Sequence, residues 1–313
     1  MKDKEFIYTY IRHRDEHDLC RMEMRAFFGI DTPSNVLKSP VEIDPSRSPF
    51  MNERLEILYE GDLFEQITTQ AEQIDLGNST FKVICLNTTE LGATDKIGHA
   101  ERRKLERQIG LGINGEPDLD SPETVFGVVT LDDKWYFGKL TISGNVWFHH
   151  QQKPHMYSTA LSTRVARAVA NIAVPHPEGV RAIDPCCGIG TVLVEALSMG
   201  INIVGRDINR RVVLGSRKNI AHFGLTGDVA VGPIAEVTDN YDVTIIDMPY
   251  NLFTHITADE QLEIIKEARR FTKKVVIVTI DTIDHMIEEV GFHIVDRCVA
   301  RKGTFSRQVL ICQ

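Results

Sequence analysis

Residues 182–191 read AIDPCCGIGT, and residues 247–251, about sixty residues later, read DMPYN. The first stretch ends a buried apolar strand and opens into a glycine turn that leads into a helix. The second ends another apolar strand, residues 241–246, with an acid, a proline and an aromatic residue. Because open parallel sheets bind ligands at the carboxyl ends of their strands, the two stretches together predict one ligand site at one edge of a sheet.

Around these stretches, strand and helix patterns alternate regularly from residue 159 to residue 313. The predicted strands cover residues 179–183, 201–206, 229–231, 241–246, 274–280, 292–299 and 306–312. The predicted helices cover residues 163–172, 191–199, 209–222, 258–271 and 284–290. This alternation is typical of an α/β fold, in which a mostly parallel sheet carries helices on both faces.

The first 150 residues follow a different pattern, which predicts a smaller α+β region. It has a strand at residues 6–10, a helix at 15–28 closed by Gly29, mostly helix over 55–74, a strand at 80–86, a helix at 94–108, and a hairpin of residues 124–131 and 134–143. Residues 149–158, HHQQKPHMYS, show no period and read as a connection. We therefore predict an N-terminal region of residues 1–150, a linker of residues 151–158 and a second domain of residues 159–313.

The composition is that of an ordinary globular protein, with 42% hydrophobic residues and a mean hydropathy of −0.14. No run of eighteen apolar residues is present, which excludes a membrane-spanning helix. The N-terminal residues MKDKEFIYTY lack the apolar stretch of a secretion signal. Six cysteines show neither a CxxC pair nor zinc-site spacing, so we expect free thiols in a reducing, cytoplasmic compartment.

The negative charge is concentrated in the first half of the chain. Up to Tyr157 there are 18 basic and 26 acidic residues, and from Ser158 onward there are 17 and 18, giving the net charge of −9. Nucleic-acid binders usually carry a basic face, so the first half is not an obvious phosphate binder. Its densest basic cluster is either the solvated face of a helix or a local phosphate-binding patch, and it comprises Arg102, Arg103, Lys104 and Arg107.

The glycine turn favours S-adenosylmethionine over a dinucleotide. Glycines at 188 and 190 let the backbone approach a ligand, and Asp207, nineteen residues past Gly188, ends the next strand, where it can accept both ribose hydroxyls. A dinucleotide fingerprint requires a third glycine, where this chain has Leu193. The carboxylate of Asp184 suits a cationic amino-acid group rather than a pyrophosphate. A glycine turn of another kind of α/β enzyme is the alternative.

The second stretch predicts methylation of an exocyclic amine. The lone pair of such an amine is delocalised into the base, and acceptors for its protons free that lone pair. Asp247 and the backbone carbonyls of Met248 and Pro249 supply these acceptors, and the ring of Tyr250 can stack on the base. Holding the amine in line with the methyl donor then does most of the remaining work. A plain strand-to-loop turn is the structural alternative.

These motifs resemble those of a known family. DPCCGIGT resembles the D-P-x-C-G-x-G-T cofactor loop of class I methyltransferases that act on RNA amines, and DMPYN resembles their D/N-P-P-Y loop. Residues 157–173 look like the helix that precedes the first strand in those enzymes. The chain is similar over about 155 residues to the THUMP-associated tRNA guanine methyltransferases, which modify the guanine 2-amino group. The resemblance is looser over residues 120–140, which are similar to a late hairpin of that family.

The resemblance implies a Rossmann-like C-terminal sheet with an antiparallel last strand, after a ferredoxin-like piece and a reduced THUMP-like domain. It implies S-adenosylmethionine as cofactor, no metal, and RNA, in particular tRNA, as partner; a small activating subunit and a homodimer both stay open. The implied catalytic residues are Asp247, Met248, Pro249 and Tyr250. The implied cofactor-binding residues are Tyr157, Thr159, Asp184, Cys187, Gly188, Gly190, Thr191, Asp207 and Ile208.

The chain departs from the family at three places. Met248 replaces the first proline of the loop, which predicts a less rigid placement of its carbonyl. Cys186 replaces the usual aromatic residue, and residues 231–233 stand where the third strand often presents an acid to the adenine. A DNA or protein amine methyltransferase and a non-catalytic module that binds cofactor and RNA therefore remain as alternatives.

Three further groups are interpreted structurally. We expect the histidines at positions 149, 150 and 155 to lie in a solvated linker rather than to hold a metal, since no fourth ligand has suitable spacing. We expect Cys186 and Cys187 to pack near the cofactor. Residues 135–137, WYF, are predicted to belong to the core of the hairpin.

Overall fold

The computed structural model describes residues 4–11, 14–87, 97–249, 256–303 and 305–313 of the chain. The strands are β1 (Phe6–Tyr10), β2 (Val36–Ser39), β3 (Met51–Gly61), β4 (Asp75–Cys85), β5 (Asn114–Pro117), β6 (Thr124–Leu131), β7 (Lys134–Ile142), β8 (Arg181–Asp184), β9 (Asn202–Asp207), β10 (Val229–Val231), β11 (Val243–Asp247), β12 (Val275–Thr279), β13 (Ile294–Lys302) and β14 (Phe305–Cys312). The helices are α1 (His17–Phe28), α2 (Phe64–Ala71), α3 (His99–Gly110), α4 (Thr163–Ala173), α5 (Thr191–Ser198), α6 (Arg210–His222), α7 (Ala258–Phe271) and α8 (Asp284–Glu289).

The chain divides into two compact units that interleave in sequence. The N-terminal unit contains Met1–Ile11, Thr32–Ser46 and Phe50–Gly144, and the C-terminal unit contains Arg12–Asp31, Arg47–Pro49 and Asn145–Gln313. This division differs from a single boundary near residue 150. Helix α1 groups with the C-terminal unit because it packs against α4 and β13.

The N-terminal unit is built on a seven-stranded sheet within the described residues, in the order β2-β1-β3-β7-β6-β4-β5. The predicted hairpin of β6 and β7 is confirmed. Its turn residues Asp132 and Asp133 have φ angles of 51° and 60°, which two-residue hairpin turns favour. Phe126 and Phe137 from the hairpin stack at 5.3 Å between ring centroids in a core that α2 and α3 also line. Hydrophobic burial by the two helices thus supports the hairpin.

The predicted helix over residues 55–74 is wrong in its first part. Residues up to Gly61 form β3, which lies between β1 and β7, and the helix α2 begins only at Phe64. Leu55 is fully buried in this sheet. Burial against two neighbouring strands overrides the helix propensity of the Glu- and Leu-rich sequence, because strand preference depends on packing context.

The C-terminal unit contains a second seven-stranded sheet in the described part of the chain, in the order β10-β9-β8-β11-β12-β14-β13. Strand β14 pairs antiparallel with both neighbours, and the other pairs are parallel, so the predicted Rossmann-like sheet with an antiparallel last strand is confirmed. Strands β8 and β11 are adjacent, which brings the ends of the two sequence stretches together. None of the described helices is long and apolar enough to cross a membrane.

The expectation of a solvated linker is wrong for His150. Residues Val146–Gln152 form a 3-10 helix, in which His150 is buried and its Nδ1 lies 2.7 Å from the Oε1 atom of Glu195. The Nη1 atom of Arg167 donates to the other oxygen of Glu195, also at 2.7 Å. A buried carboxylate is costly unless it has such partners. The bond between His150 and Glu195 therefore holds the 3-10 helix against α5, and the 3-10 helix also packs against α4.

Candidate active site

A cavity of about 690 Å³ lies in the C-terminal unit, at the carboxyl ends of β8, β9 and β11. Open α/β sheets form ligand sites at this edge. Its lining includes eight predicted cofactor residues, Tyr157, Thr159, Asp184, Cys187, Gly188, Thr191, Asp207 and Ile208, and three predicted catalytic residues, Asp247, Met248 and Pro249. Tyr250 lies outside the described residues. The structure therefore brings both sequence stretches to one site.

The two glycines of the turn have different tasks. Both adopt positive φ angles, 53° at Gly188 and 77° at Gly190, a conformation that favours glycine. A Cβ at Gly190 would lie 2.2 Å from the Oγ atom of Ser216, so Gly190 allows close packing against α6. A Cβ at Gly188 would meet nothing within 4 Å, and Gly188 lines the cavity. Gly188 is therefore the glycine that gives a ligand access to the backbone.

Asp207 is held at the rim of the cavity by two backbone donors. Its Oδ2 atom accepts a hydrogen bond from the Gly188 amide at 2.9 Å, and its Oδ1 atom accepts one from the Asn209 amide at 2.8 Å. The Asn209 side chain in turn caps α6 by accepting from the Arg211 amide. Each carboxylate oxygen has a second lone pair, so this fixed group keeps acceptor capacity toward the cavity.

Asp184 is a buried acid at the end of β8. It is 2% exposed and accepts one hydrogen bond, from the Cys186 amide at 3.2 Å. Burial raises the pKa of Asp184 well above its usual value, and the charges of Asp247 and Asp207 raise it further. A cationic ligand in the cavity would offset this cost, whereas an anionic ligand would increase it.

Asp247 presents an unused acceptor. Its Oδ1 atom is buried, and no hydrogen-bond partner for it exists among the described residues. Burial raises the pKa of Asp247 to about 7, while the charge of Arg307 acts in the opposite direction. An unsatisfied buried oxygen is costly for the folded protein, on the order of 1–3 kcal/mol. A donor from a ligand, such as an amine N–H, would satisfy it.

Met248 is fixed more firmly than the sequence suggested. Its side chain is 1% exposed and packs in the core of the C-terminal unit, and its amide donates to the Val278 carbonyl at 2.8 Å. A proline has no amide hydrogen and would lose this bond. The methionine therefore extends the ladder between β11 and β12, and the predicted relaxation of this position is not what the structure shows.

Sequence reasoning missed one wall of the cavity. Helix α7 contributes Glu260, Glu263 and Ile264, and residues 232–234 line the cavity where an acid was expected. The Thr257 side chain and Glu260 form a capping box, which is visible in the sequence as T-x-x-E, but that motif signals a helix start and not a ligand site. Only the fold shows that this helix start faces the cavity.

The cavity is strongly acidic. Five carboxyl groups of the described residues line it, those of Asp184, Asp207, Asp247, Glu260 and Glu263. Such a lining attracts cations and repels phosphates. It fits a ligand with a positively charged sulfonium and ammonium and opposes a pyrophosphate.

Comparison with known proteins is consistent with this geometry. Residues 151–280 match the family described as UPF0020, RMKL-like, methyltransferase domain. Over 214 residues, the chain is 27% identical to a tRNA (guanine(10)-N2)-dimethyltransferase from Methanothermobacter thermautotrophicus, which covers 65% of this chain and 62% of that protein. A U6 snRNA (guanine-N(2))-methyltransferase from Mus musculus is 30% identical over 105 residues, which are 31% of this chain and 20% of that protein.

Among solved structures, TrmN from Thermus thermophilus aligns over 99% of both chains with a TM-score of 0.49 and 15% identity. The chain spans less than two thirds of the length of the two relatives named above.

Proposed function

We propose that the C-terminal unit is an S-adenosylmethionine-dependent methyltransferase that methylates the exocyclic amine of guanine in tRNA. One observation carries this proposal: the glycine turn, Asp207 and the unsatisfied oxygen of Asp247 surround a single acidic cavity. The match of residues 151–280 to a methyltransferase domain supports the reaction class. The names of the relatives, which act on guanine N2 in tRNA or U6 snRNA, support the substrate.

The residues of the cavity fit the proposed cofactor. S-adenosylmethionine, when bound, supplies a methyl group on a positively charged sulfonium. Asp207 has acceptor capacity for ribose hydroxyls, and the Gly188 backbone is open to a ligand. Asp184 suits the ammonium of the amino-acid group, because a cation offsets the cost of its buried charge. Tyr157, Thr159, Cys187, Thr191 and Ile208 complete the proposed binding surface.

The residues at the end of β11 would prepare the amine. The Oδ1 atom of Asp247 would accept a hydrogen bond from one amine N–H, and a backbone carbonyl of Met248 or Pro249 would accept one from the other N–H. Both N–H groups are then engaged, and the nitrogen lone pair is turned toward the methyl donor. Transfer would break the sulfur–methyl bond and form the nitrogen–methyl bond, and the methylated nitrogen would lose one proton to the Asp247 carboxylate or to water. Positioning of this kind can lower a reaction barrier by up to roughly 7–11 kcal/mol. A base within a stem must first be extruded, at a cost of a few kcal/mol. Stacking of the extruded base on the ring of Tyr250 would offset this cost by about 1–3 kcal/mol.

We assign the N-terminal unit, as part of this proposal, to RNA binding of the THUMP-like kind. Helix α3 supports the assignment, because Arg103, Lys104 and Arg107 are exposed on it within an otherwise acidic region.

The six cysteines are free thiols, which supports the proposal that the protein works in the reducing cytoplasm.

The test of the proposed function is methyl transfer to RNA. The full chain is incubated with methyl-labelled S-adenosylmethionine and unmodified total tRNA, and the nucleosides are analysed by mass spectrometry. We expect N2-methylated guanosine. If the protein binds the cofactor by calorimetry but labels no RNA, then DNA and protein are tested as acceptors. Absence of transfer to all three would leave a non-catalytic module and contradict the proposal.

The Asp247→Ala variant tests the assigned role of this residue. Removal of the acceptor should abolish transfer and leave cofactor affinity near normal, because Asp247 is assigned to the amine. Asp239→Ala is the matched control, since Asp239 is exposed and precedes the same strand. Full activity of Asp247→Ala would show that the assignment is wrong.

A further inference from the structure

Strand β14 places a cation on the same face of the sheet as Asp247. Asp247 is in register with Val278 of β12, and Val278 is in register with Val309 of β14. Arg307 lies two residues from Val309. Because side chains two residues apart on a strand point to the same face, Arg307 and Asp247 share one face near the carboxyl edge of β11.

Arg307 is also bonded to a wall of the cavity. Its Nη2 atom donates to the Thr159 carbonyl at 3.2 Å, and Thr159 lines the cavity. Its guanidinium carbon lies 4.6 Å from the centroid of the Phe305 ring, which holds the side chain along the strand. The guanidinium thus ties the closing strand of the sheet to the segment that precedes α4.

The charge of Arg307 opposes the negative surroundings of Asp247. Burial raises the pKa of Asp247, the charge of Arg307 lowers it, and the resulting value is about 7. Within the described part of the chain, Asp247 also raises the pKa of Asp184 on β8 and of Cys186 in the glycine turn, and neither of these groups carries positive charge. The remaining acids of the cavity, Asp207, Glu260 and Glu263, add negative charge to its lining.

We propose that Arg307 is a positioning residue for methyl transfer, which keeps the Asp247 carboxylate available as an acceptor and fixes the Thr159 wall of the cavity. The inference rests on the proposed methyltransferase function. A protonated Asp247 has one acceptor oxygen fewer for the amine, so the rate depends on the ionised form. Loss of the guanidinium removes the positive charge that, among the described residues, lowers the pKa of this carboxylate.

The test compares Arg307→Gln with Arg307→Lys and with the control Arg301→Gln, an exposed arginine on β13 of the same hairpin. Transfer rates at saturating cofactor and tRNA are measured from about pH 6 to pH 9. In Arg307→Gln the acidic side of the pH–rate profile should move to higher pH by about one unit, because Asp247 is ionised only at higher pH. The transfer rate at pH 7 should therefore fall roughly fivefold. The rate should recover near pH 9. Arg307→Lys should retain most of the activity at pH 7, and the control profile should match the unmodified protein.

A second readout does not depend on transfer. Carbon-13 labelling of aspartate carboxyl groups follows the titration of Asp247 by nuclear magnetic resonance, with the signal assigned by its absence in Asp247→Asn. The Asp247 titration should move to higher pH in Arg307→Gln. An unchanged Asp247 titration would overturn the inference, whatever the rate of Arg307→Gln, while wild-type transfer would leave the proposed function intact. If the wild type transfers no methyl group, the proposed function fails, and the titration still decides the effect of Arg307 on Asp247.

Discussion

The carboxylate of Asp207 accepts hydrogen bonds from two backbone amides, and it is also the proposed ribose acceptor. Asp207→Ala should weaken binding of S-adenosylmethionine roughly 10–100-fold, because hydrogen bonds to charged groups contribute about 1.5–3 kcal/mol. Calorimetric titration measures this affinity. Asp228→Ala is the control, since Asp228 is an exposed acid just before β10. Equal affinity of both variants would show that Asp207 is not the ribose ligand.

The buried acid Asp247 should make stability depend on pH. Its pKa is about 7 in the folded chain and near 3.8 when unperturbed, so the folded state binds the extra proton between these values. Stability therefore falls as the pH rises from about 4 to about 7. Asp247→Asn, which carries no charge, should be more stable than the wild type at pH 8, by on the order of 1–3 kcal/mol, with little difference near pH 4. Thermal unfolding at both pH values measures this, and a difference of equal size at both would contradict it.

The place of a single residue in the site could be predicted from the sequence where a motif puts that residue at the end of a strand. Asp184, Asp207 and Asp247 each end one of three parallel strands of the same sheet, and the carboxyl ends of such strands meet at one edge. Arg307 carries no such signal. It reaches the site through strand pairing that the sequence pattern does not specify, and the acids of α7 do so through helix packing.

At the scale of elements, the helix α1 shows what periodicity can and cannot predict. The sequence predicted the helix and its end at Gly29, which adopts a left-handed conformation. It did not predict that α1 groups with the C-terminal unit. The contacts responsible are distant in sequence: the side-chain Nδ2 atom of Asn171 donates to the Oε1 atom of Glu23 at 2.7 Å, and Arg25 forms two hydrogen bonds of 2.9 Å with Asp296.

Truncation of the buried face of α1 should therefore destabilise the unit that binds the cofactor. Leu19 is fully buried, and Leu19→Ala should cost about 2–5 kcal/mol. Arg21→Ala, which removes a partly exposed ion pair with Asp31, should cost about 1 kcal/mol or less. Calorimetric unfolding with and without S-adenosylmethionine identifies the transition that the cofactor stabilises. If Leu19→Ala leaves that transition unchanged, α1 is not an integral part of the C-terminal unit.

The interleaving of the two units is a property of the whole molecule that local pattern cannot show. Segments of the C-terminal unit, Arg12–Asp31 and Arg47–Pro49, lie between segments of the N-terminal unit in the sequence. The change in the sequence pattern near residue 150 predicts a domain boundary just before the part of the chain that forms the second sheet. It misses the earlier segments because they contribute helix and loop contacts rather than strands.

The uneven charge of the molecule restricts where RNA can bind. The N-terminal half has a net charge of −8, so RNA binding there requires a local basic surface, and the exposed side chains of Arg103, Lys104 and Arg107 provide one. Replacing all three by glutamine should weaken tRNA binding and reduce the slope of log affinity against log salt by about 2–3, because each phosphate contact contributes about 0.7–0.9. Cofactor affinity should not change.

The comparison variant replaces the exposed basic residues of α6, Arg210, Arg211 and Lys218, by glutamine. It removes the same charge from the C-terminal unit, so the two variants separate a local contact from a general charge effect. Equal losses would point to general attraction rather than a patch on α3. A loss confined to the α6 variant would assign phosphate binding to the cavity side of the C-terminal unit, and it would remove the electrostatic argument for RNA binding by the N-terminal unit.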